Sequence, residues 1–319
     1  MGKYVARRLL LFIPTLWILT VVVFGLMRVL PGDVAEIILT DDSGARTASG
    51  YTIERLREKL GLNKPLHIQY LSWLWDTARL NLGESILTGR SILDDITQRF
   101  PITFQLSVMA LVFSIGLGIP VGIISAVKQN SWVDLTLRFW SILFLAAPSF
   151  WLGLLVILAG SLWFKWVPSL GYNLLWEHPK ENFSQLIWPA LILAHGGLAT
   201  MARMTRSTML EVLREDYIRT ARAKGLREQV IVYRHALKNA LIPVVTMAGL
   251  SFATLMGGSV ILEQVFGIPG MGSYLITAIQ RQDYPVVQAG VVVFALVFML
   301  SNLAIDLIYG WLDPRISYA

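Results

Sequence analysis

Residues 102–127 read ITFQLSVMALVFSIGLGIPVGIISAV, 26 positions without an Asp, Glu, Lys or Arg. A helix crossing a hydrocarbon core of about 30 Å needs roughly 20 such residues, so this stretch alone is long enough to span. Five more uncharged windows accompany it, at 9–27, 139–164, 182–202, 239–262 and 284–305, each 19 to 26 residues long. Residues 19–24 and 291–300 are almost continuously apolar and lack the alternation of a barrel strand. Six buried helices in a soluble protein would need more polar covering chain than 319 residues with 15% charged side chains provide. The fold class is therefore all-α, a polytopic membrane protein with six transmembrane helices.

A net charge of +6 would suggest nucleic acid in a soluble chain, but the placement of the cations excludes it. With the N-terminus inside, the inner segments hold fifteen Lys and Arg, nine of them between Arg203 and Lys238. The short outer segments hold three: Lys165, Lys180 and Arg281. By the positive-inside rule both termini are cytoplasmic. The chain has no cysteine, hence no disulfide framework and no thiolate metal site. Its first apolar run is 19 residues long, exceeds a signal peptide's core and leads into Pro31-Gly32-Asp33 without a cleavage motif, so it reads as a retained anchor.

Residues 1–319 form one transmembrane domain with two long polar segments. The first, 31–101, is an extracytoplasmic loop with ten acidic and eight basic residues and needs structure of its own. Residues 52–60 predict a short amphipathic helix ending at Gly61. Residues 66–80 predict a second, whose Tyr70, Trp73, Leu74 and Trp75 suit either the headgroup layer or packing within the loop. Trp163, Trp166, Tyr172 and Trp176 mark an interface belt around the outer connection 165–181. The second long segment, 203–238, lies inside, is dense in charge, and is interrupted by Lys224-Gly225.

Several chemistries are missing. No phosphate-binding G-x-x-x-x-G-K-[ST] loop occurs, so the chain does not bind ATP by that route. His67, His178, His195 and His235 lie in four different segments, and their spacing fits neither a metal site nor a catalytic triad. There are no catalytic residues to assign and the chain is not an enzyme. The six windows carry no ionisable residue that could couple an ion gradient, apart from His195, which reads as a packing residue. An ion-coupled secondary transporter is the weaker alternative, and the drive for transport comes from elsewhere. The inner segment supplies a place for it: a helical stretch through Glu215, Asp216, Tyr217, Arg219, Ala221, Arg222 and Ala223, stopped by Gly225, which can take the left-handed helix end. A second helical face, Val230, Tyr233, Leu237 and Leu241, follows.

These residues resemble the membrane subunits of ABC importers, whose inner loop carries a Glu-Ala-Ala, three residues, glycine signature. Arg219-Thr220-Ala221 precedes Gly225 at that spacing, with Arg219 and Thr220 in place of the Glu and the first Ala. The departures match the dipeptide and oligopeptide permease branch, which reads much like Tyr217 through Gly225 and His235 through Pro243. Met27 to Asp33, Leu82-Gly83-Glu84-Ser85, Glu263 to Gly272, Asp283-Tyr284-Pro285 and Asp313-Pro314-Arg315 are similar to the same branch, so the resemblance runs almost end to end. Gln282 stands where an arginine commonly precedes the Asp.

The resemblance implies a permease subunit of an ATP-driven peptide importer, multi-pass in a bacterial inner membrane. It implies a second homologous permease subunit, two ATPase subunits that bind ATP and Mg, and an extracytoplasmic substrate-binding protein, besides membrane lipid. Similar branch members handle nickel complexes, glutathione or oligosaccharides. A helix over 211–224 is then expected to dock into an ATPase groove through Ala221 and Ala223, with Arg219 and Arg222 facing acidic groups. Phe266, Pro269 and Gly270 are expected in a rigid outer turn. Pro148 and Ser149, and Met256, Gly257 and Ser259, are expected where the helix ladder opens toward the pathway. Asp306 is expected to pair with Arg203 or Arg206.

Overall fold

The computed structural model describes residues 2–29, 63–169 and 171–312, with side chains described for 10–26, 63–169 and 171–304. The expected helix at 52–60, the Pro31-Gly32-Asp33 stretch, the side chain of Asp306 and the tail 313–315 lie outside these residues. Among the described residues the ordered elements are helices, with one isolated bridge between Glu84 and Ser91. In chain order they are α1 (Gly2–Val29), α2 (Leu66–Ala78), α3 (Ile92–Val127), α4 (Trp132–Ala146), α5 (Ser149–Phe164), α6 (Pro179–Val212) and α7 (Asp216–Ala223). After these come α8 (Glu228–Phe266), α9 (Met271–Gln280) and α10 (Tyr284–Leu312).

Four helices are each long and apolar enough to cross a membrane: α3, α6, α8 and the Tyr284–Ala304 part of α10. The window 139–164, expected as one span, holds the end of α4 and all of α5, a pair of helices bent by 103° at the break between them. Pro148 has no N–H to donate and disfavours helical backbone in the residue before it; Ala147 accordingly sits at φ −79°, ψ 126°. The described residues thus give four spans, or five with the bent pair counted as one, besides the shorter apolar run Leu10–Leu26 of α1. A second expectation is corrected in the opposite sense. The ladder does not open at Met256, Gly257 and Ser259, because α8 runs unbroken through them; its irregular part is the π-helical turn Ile231–Ala236 at the other end.

The chain divides into two compact units. One comprises 102–272 with 300–317 and is organised around α6. Ser114, Gly118 and Gly122 repeat every four residues and line one face of α3. A methyl group on Gly118 would lie 2.8 Å from the Leu198 carbonyl, and one on Gly122 would lie 2.6 Å from that of Ala202, so only hydrogen fits between the two backbones. Ser114 Oγ donates to the Ala110 and Ala194 carbonyls, at 2.8 and 3.1 Å. This is the small-residue contact by which helices associate in lipid, where apolar burial offers little drive. Leu106, Leu186, Ala190, Leu262 and Phe266 fill a core beside it.

The other unit comprises 1–101 with 273–299. In it α1 packs on α2, and the loop at 83–91 is tied to Asp283, which accepts hydrogen bonds from Ser85 Oγ at 2.6 Å and from the Ile86 N–H at 3.3 Å. Tyr274 on α9 donates to Asp95 at 3.1 Å and lies under the Arg99 guanidinium at 4.7 Å. Burial, reinforced by the Asp95 charge, pushes the Tyr274 phenol above its ordinary range, which keeps it a donor.

Candidate functional site

The charged segment 203–238 begins in the last turns of α6 and continues past its end. Leu213, Arg214 and Glu215 interrupt the helix and α7 starts at Asp216, so the single helix expected from 211 to 224 is two pieces with a turn between them. At its far end the Gly225 N–H bonds the Arg222 carbonyl at 2.9 Å, and the Leu226 N–H bonds that of Ala221 at 3.3 Å. Together these form a Schellman cap, and Gly225 takes its left-handed position at φ 75°. Helix, break and helix therefore stand where the sequence puts them.

Ile218 and Ala221 share one face of α7 and are buried, against Ile123, Met209, Ile231, Val232 and Ala236 of the same chain. Ala221 thus packs inside its own subunit, contrary to its expected place at a partner's surface. Glu215, Asp216, Tyr217, Arg219, Arg222 and Ala223 are exposed. The Arg219 guanidinium pairs with Asp216 at 3.3 Å, and Arg222 forks onto both carboxylate oxygens of Glu228 at 2.7 and 3.3 Å. That bond to Glu228 raises the Arg222 pKa further above its ordinary value. Tyr217 accepts from Asn239 Nδ2 at 2.8 Å, which fixes α7 to α8.

Beneath this segment lies an ion cluster that sequence reasoning missed. The Asp134 side chain has no solvent exposure, and Arg206 of α6 reaches it with Nε and Nη2, both at 2.9 Å. Ser125 Oγ and the Asn130 N–H also donate to its carboxylate, and Arg138 Nε stands 3.5 Å away. One carboxylate therefore joins the end of α3, the turn after it, α4 and α6. Arg206, one of the two arginines expected to face Asp306, is paired with Asp134. A partial signal was present: Ser131 is the N-cap of α4, and its hydroxyl accepts the Asp134 N–H at 3.4 Å.

At the opposite end of α8 the expected rigid turn is built around Glu263. This residue lies one position beyond an uncharged window, is fully buried, and accepts from Thr103 Oγ1 at 2.7 Å and Ser259 Oγ at 3.0 Å. The helix closes with a second Schellman cap at Gly267, φ 65°, and the Met271 N–H reaches Thr103 Oγ1 at 2.8 Å. A methyl group on Gly270 would meet the Glu263 carboxyl at 2.5 Å, which accounts for the glycine. Phe266 and Ile268 are buried in the chain's own core, and Pro269 borders a cleft of about 90 Å³ with Trp166, Tyr172 and Gln185. Burial raises the Tyr172 pKa as well.

The pathway candidates separate. Pro148 is exposed, Ser149 half-buried and Gly257 exposed, whereas Met256 and Ser259 are enclosed by their own chain. Ser259 spends its hydroxyl on Glu263 and the Met256 carbonyl. His195 Nε2 stands 3.0 Å from the Ala147 carbonyl and links α6 to the bend between α4 and α5. Among the described residues no cluster of His, Asp or Glu is arranged to hold a metal ion.

Helices long and apolar enough to span, packed through small-residue seams, define a multi-pass membrane protein. Residues 118–318 match the family described as binding-protein-dependent transport system inner membrane component, and residues 1–107 match its N-terminal counterpart. The chain belongs to this family, as a permease subunit of an ABC importer in the inner membrane. It is 40% identical to the dipeptide transport system permease protein DppB of Alkalihalophilus pseudofirmus, across the full length of both. It is 41% identical to the di/tripeptide permease DppB of Pseudomonas aeruginosa, over all of this chain and 99% of that one. It is also 40% identical to the glutathione permease GsiC of Escherichia coli, over the whole of both. The fold is shared with the inward-facing MetNI methionine ABC transporter at a TM-score of 0.57 and 20% identity, over 69% of this chain and 96% of that one.

Proposed function

We propose that this permease subunit imports short peptides, pairing with a second permease subunit and with two ATPase subunits that bind ATP and Mg. An extracytoplasmic binding protein delivers the cargo. The observation that carries the reading is the division of α7 into a buried face and an exposed one. Ile218 and Ala221 anchor the helix, while the opposite side presents Asp216, Thr220 and Ala223 beside paired charges. A short helix held rigidly by its own subunit can transmit a displacement imposed on its free side. The peptide cargo rests on the full-length likeness to dipeptide and di/tripeptide permeases. Glutathione, itself a tripeptide, is the second reading, because a glutathione permease is matched equally well.

Reconstitution of the complex in vesicles tests both. ATP-dependent accumulation of labelled di- and tripeptides, with glutathione as competitor, is the expected result. Uptake driven by an ion gradient without ATP would overturn the reading.

A further inference from the structure

Helix α2 has two unlike sides. Tyr70 and Trp73 turn toward α1, where Tyr70 Oη and Thr20 Oγ1 share a hydrogen bond of 2.9 Å and Phe24 packs edge-on against Tyr70 at 5.5 Å. Ile68, Leu71 and Trp75 recur at helical spacing on the other side and stay exposed, Leu71 at 60% and Trp75 at 59%. No residue of α2 is buried, and among the described residues this apolar stripe has no cover.

The contact with α1 fixes the depth at which the stripe lies. Thr20 and Phe24 are seven and three residues before Met27, where the uncharged window of α1 ends. At 1.5 Å per residue the contacts sit about 10 and about 5 Å inside the end of that span. This is the depth at which amphipathic helices lie along a membrane surface, their apolar face at the boundary of headgroups and acyl chains. Val22 and Leu26 of α1 are exposed as well and extend the apolar surface. Arg79 closes the helix with its guanidinium 4.3 Å over the Trp75 ring, and Lys64 and His67 at the other end are exposed. An arginine stacked on an interfacial tryptophan keeps its charge at headgroup level while its stem covers apolar surface.

We propose that α2 is a membrane-interface helix whose Ile68, Leu71 and Trp75 rest in the phospholipid layer where α1 leaves the bilayer, with Arg79 directed to lipid phosphates. With the N-terminus inside, this is the outer leaflet, and the helix braces the start of the long loop against the membrane. The inference rests on α1 spanning the membrane and is independent of the cargo.

The absence of native cysteine makes single-site labelling direct. Nitroxides would be placed at Ile68→Cys and Leu71→Cys in the full chain in phosphatidylcholine–phosphatidylglycerol nanodiscs, with Leu87→Cys in the 83–91 loop as the aqueous reference. Collision with membrane-dissolved oxygen, relative to a water-soluble nickel chelate, should be at least tenfold higher at 68 and 71 than at 87. Labels dominated by the nickel chelate would overturn the assignment. So would labels shielded from both reagents in the assembled complex, which would place a protein partner on the stripe. Arg79→Gln should move the Leu71 label outward in discs containing phosphatidylglycerol, and an unchanged depth would remove the phosphate contact.

Discussion

Asp134 and Arg206 form a pair in which the carboxylate is wholly buried and the guanidinium side chain 19% exposed. Such a pair is a poor source of net stability, since both charges lose their water, but breaking it on one side leaves the other uncompensated. Asp134→Ala should therefore cost about 3 kcal/mol, the lower end for a buried pair because Arg206 keeps some water. Asp134→Ala combined with Arg206→Met should recover much of that, and thermal unfolding of the purified chain in detergent would read the cycle. Equal loss in the single and double variants would mean that Asp134 acts mainly through Ser125 and Asn130. A second residue-scale expectation concerns Gly270→Ala, whose methyl group would overlap the Glu263 carboxyl. Overpacking of this kind costs about 1–3 kcal/mol, and Gly257→Ala, with open space around it, is the matched control.

At the level of elements, the seam between α3 and α6 depends on Ser114, Gly118 and Gly122 staying small. Gly122→Val should separate the two backbones and lower the amount of folded chain recovered from membranes. Gly116→Val, on the same helix with nothing within 4 Å of its Cβ position, should be tolerated. Similar recovery of both variants would remove the seam as a determinant of the fold. Four of the six expected spans, at 102–127, 182–202, 239–262 and 284–305, were legible in the sequence because a bilayer imposes length and lack of charge on each one independently. Cap positions were legible too, since Gly225 and Gly267 take backbone angles that side chains resist. Tertiary partners were not. Nothing local says that the ridge Gly118–Gly122 meets Ala202 or that Asp134 finds Arg206, 72 residues away. The bend at Pro148 was half legible: proline marks where a helix breaks, but the angle of 103° depends on what α5 packs against, including Phe266 at Gly153. At 256–259 the glycines suggested an opening, but the surroundings of Ser259 and Glu263 keep α8 continuous there.

Across the whole molecule, the folding of α7 limits how a displacement imposed on the charged segment can reach the spans. Its buried side, Ile218 and Ala221, is continuous with Ile123 on α3, Met209 on α6 and the π-helical turn of α8. Its opposite side follows from the 100° advance per residue: Asp216, Thr220 and Ala223 lie across the helix from Ile218 and Ala221. Two kinds of substitution should therefore fail differently. Ala221→Trp crowds the chain's own core and should lower its unfolding temperature even without any partner. Thr220→Trp and Ala223→Trp point away from that core and should leave the isolated chain as stable as before. In the assembled complex these two variants are expected to lower ATP-driven uptake and to weaken retention of the ATPase subunits on co-purification. Normal uptake by both would remove this face as the docking surface. Loss of stability in the isolated chain would instead mean that the face is covered within the subunit itself.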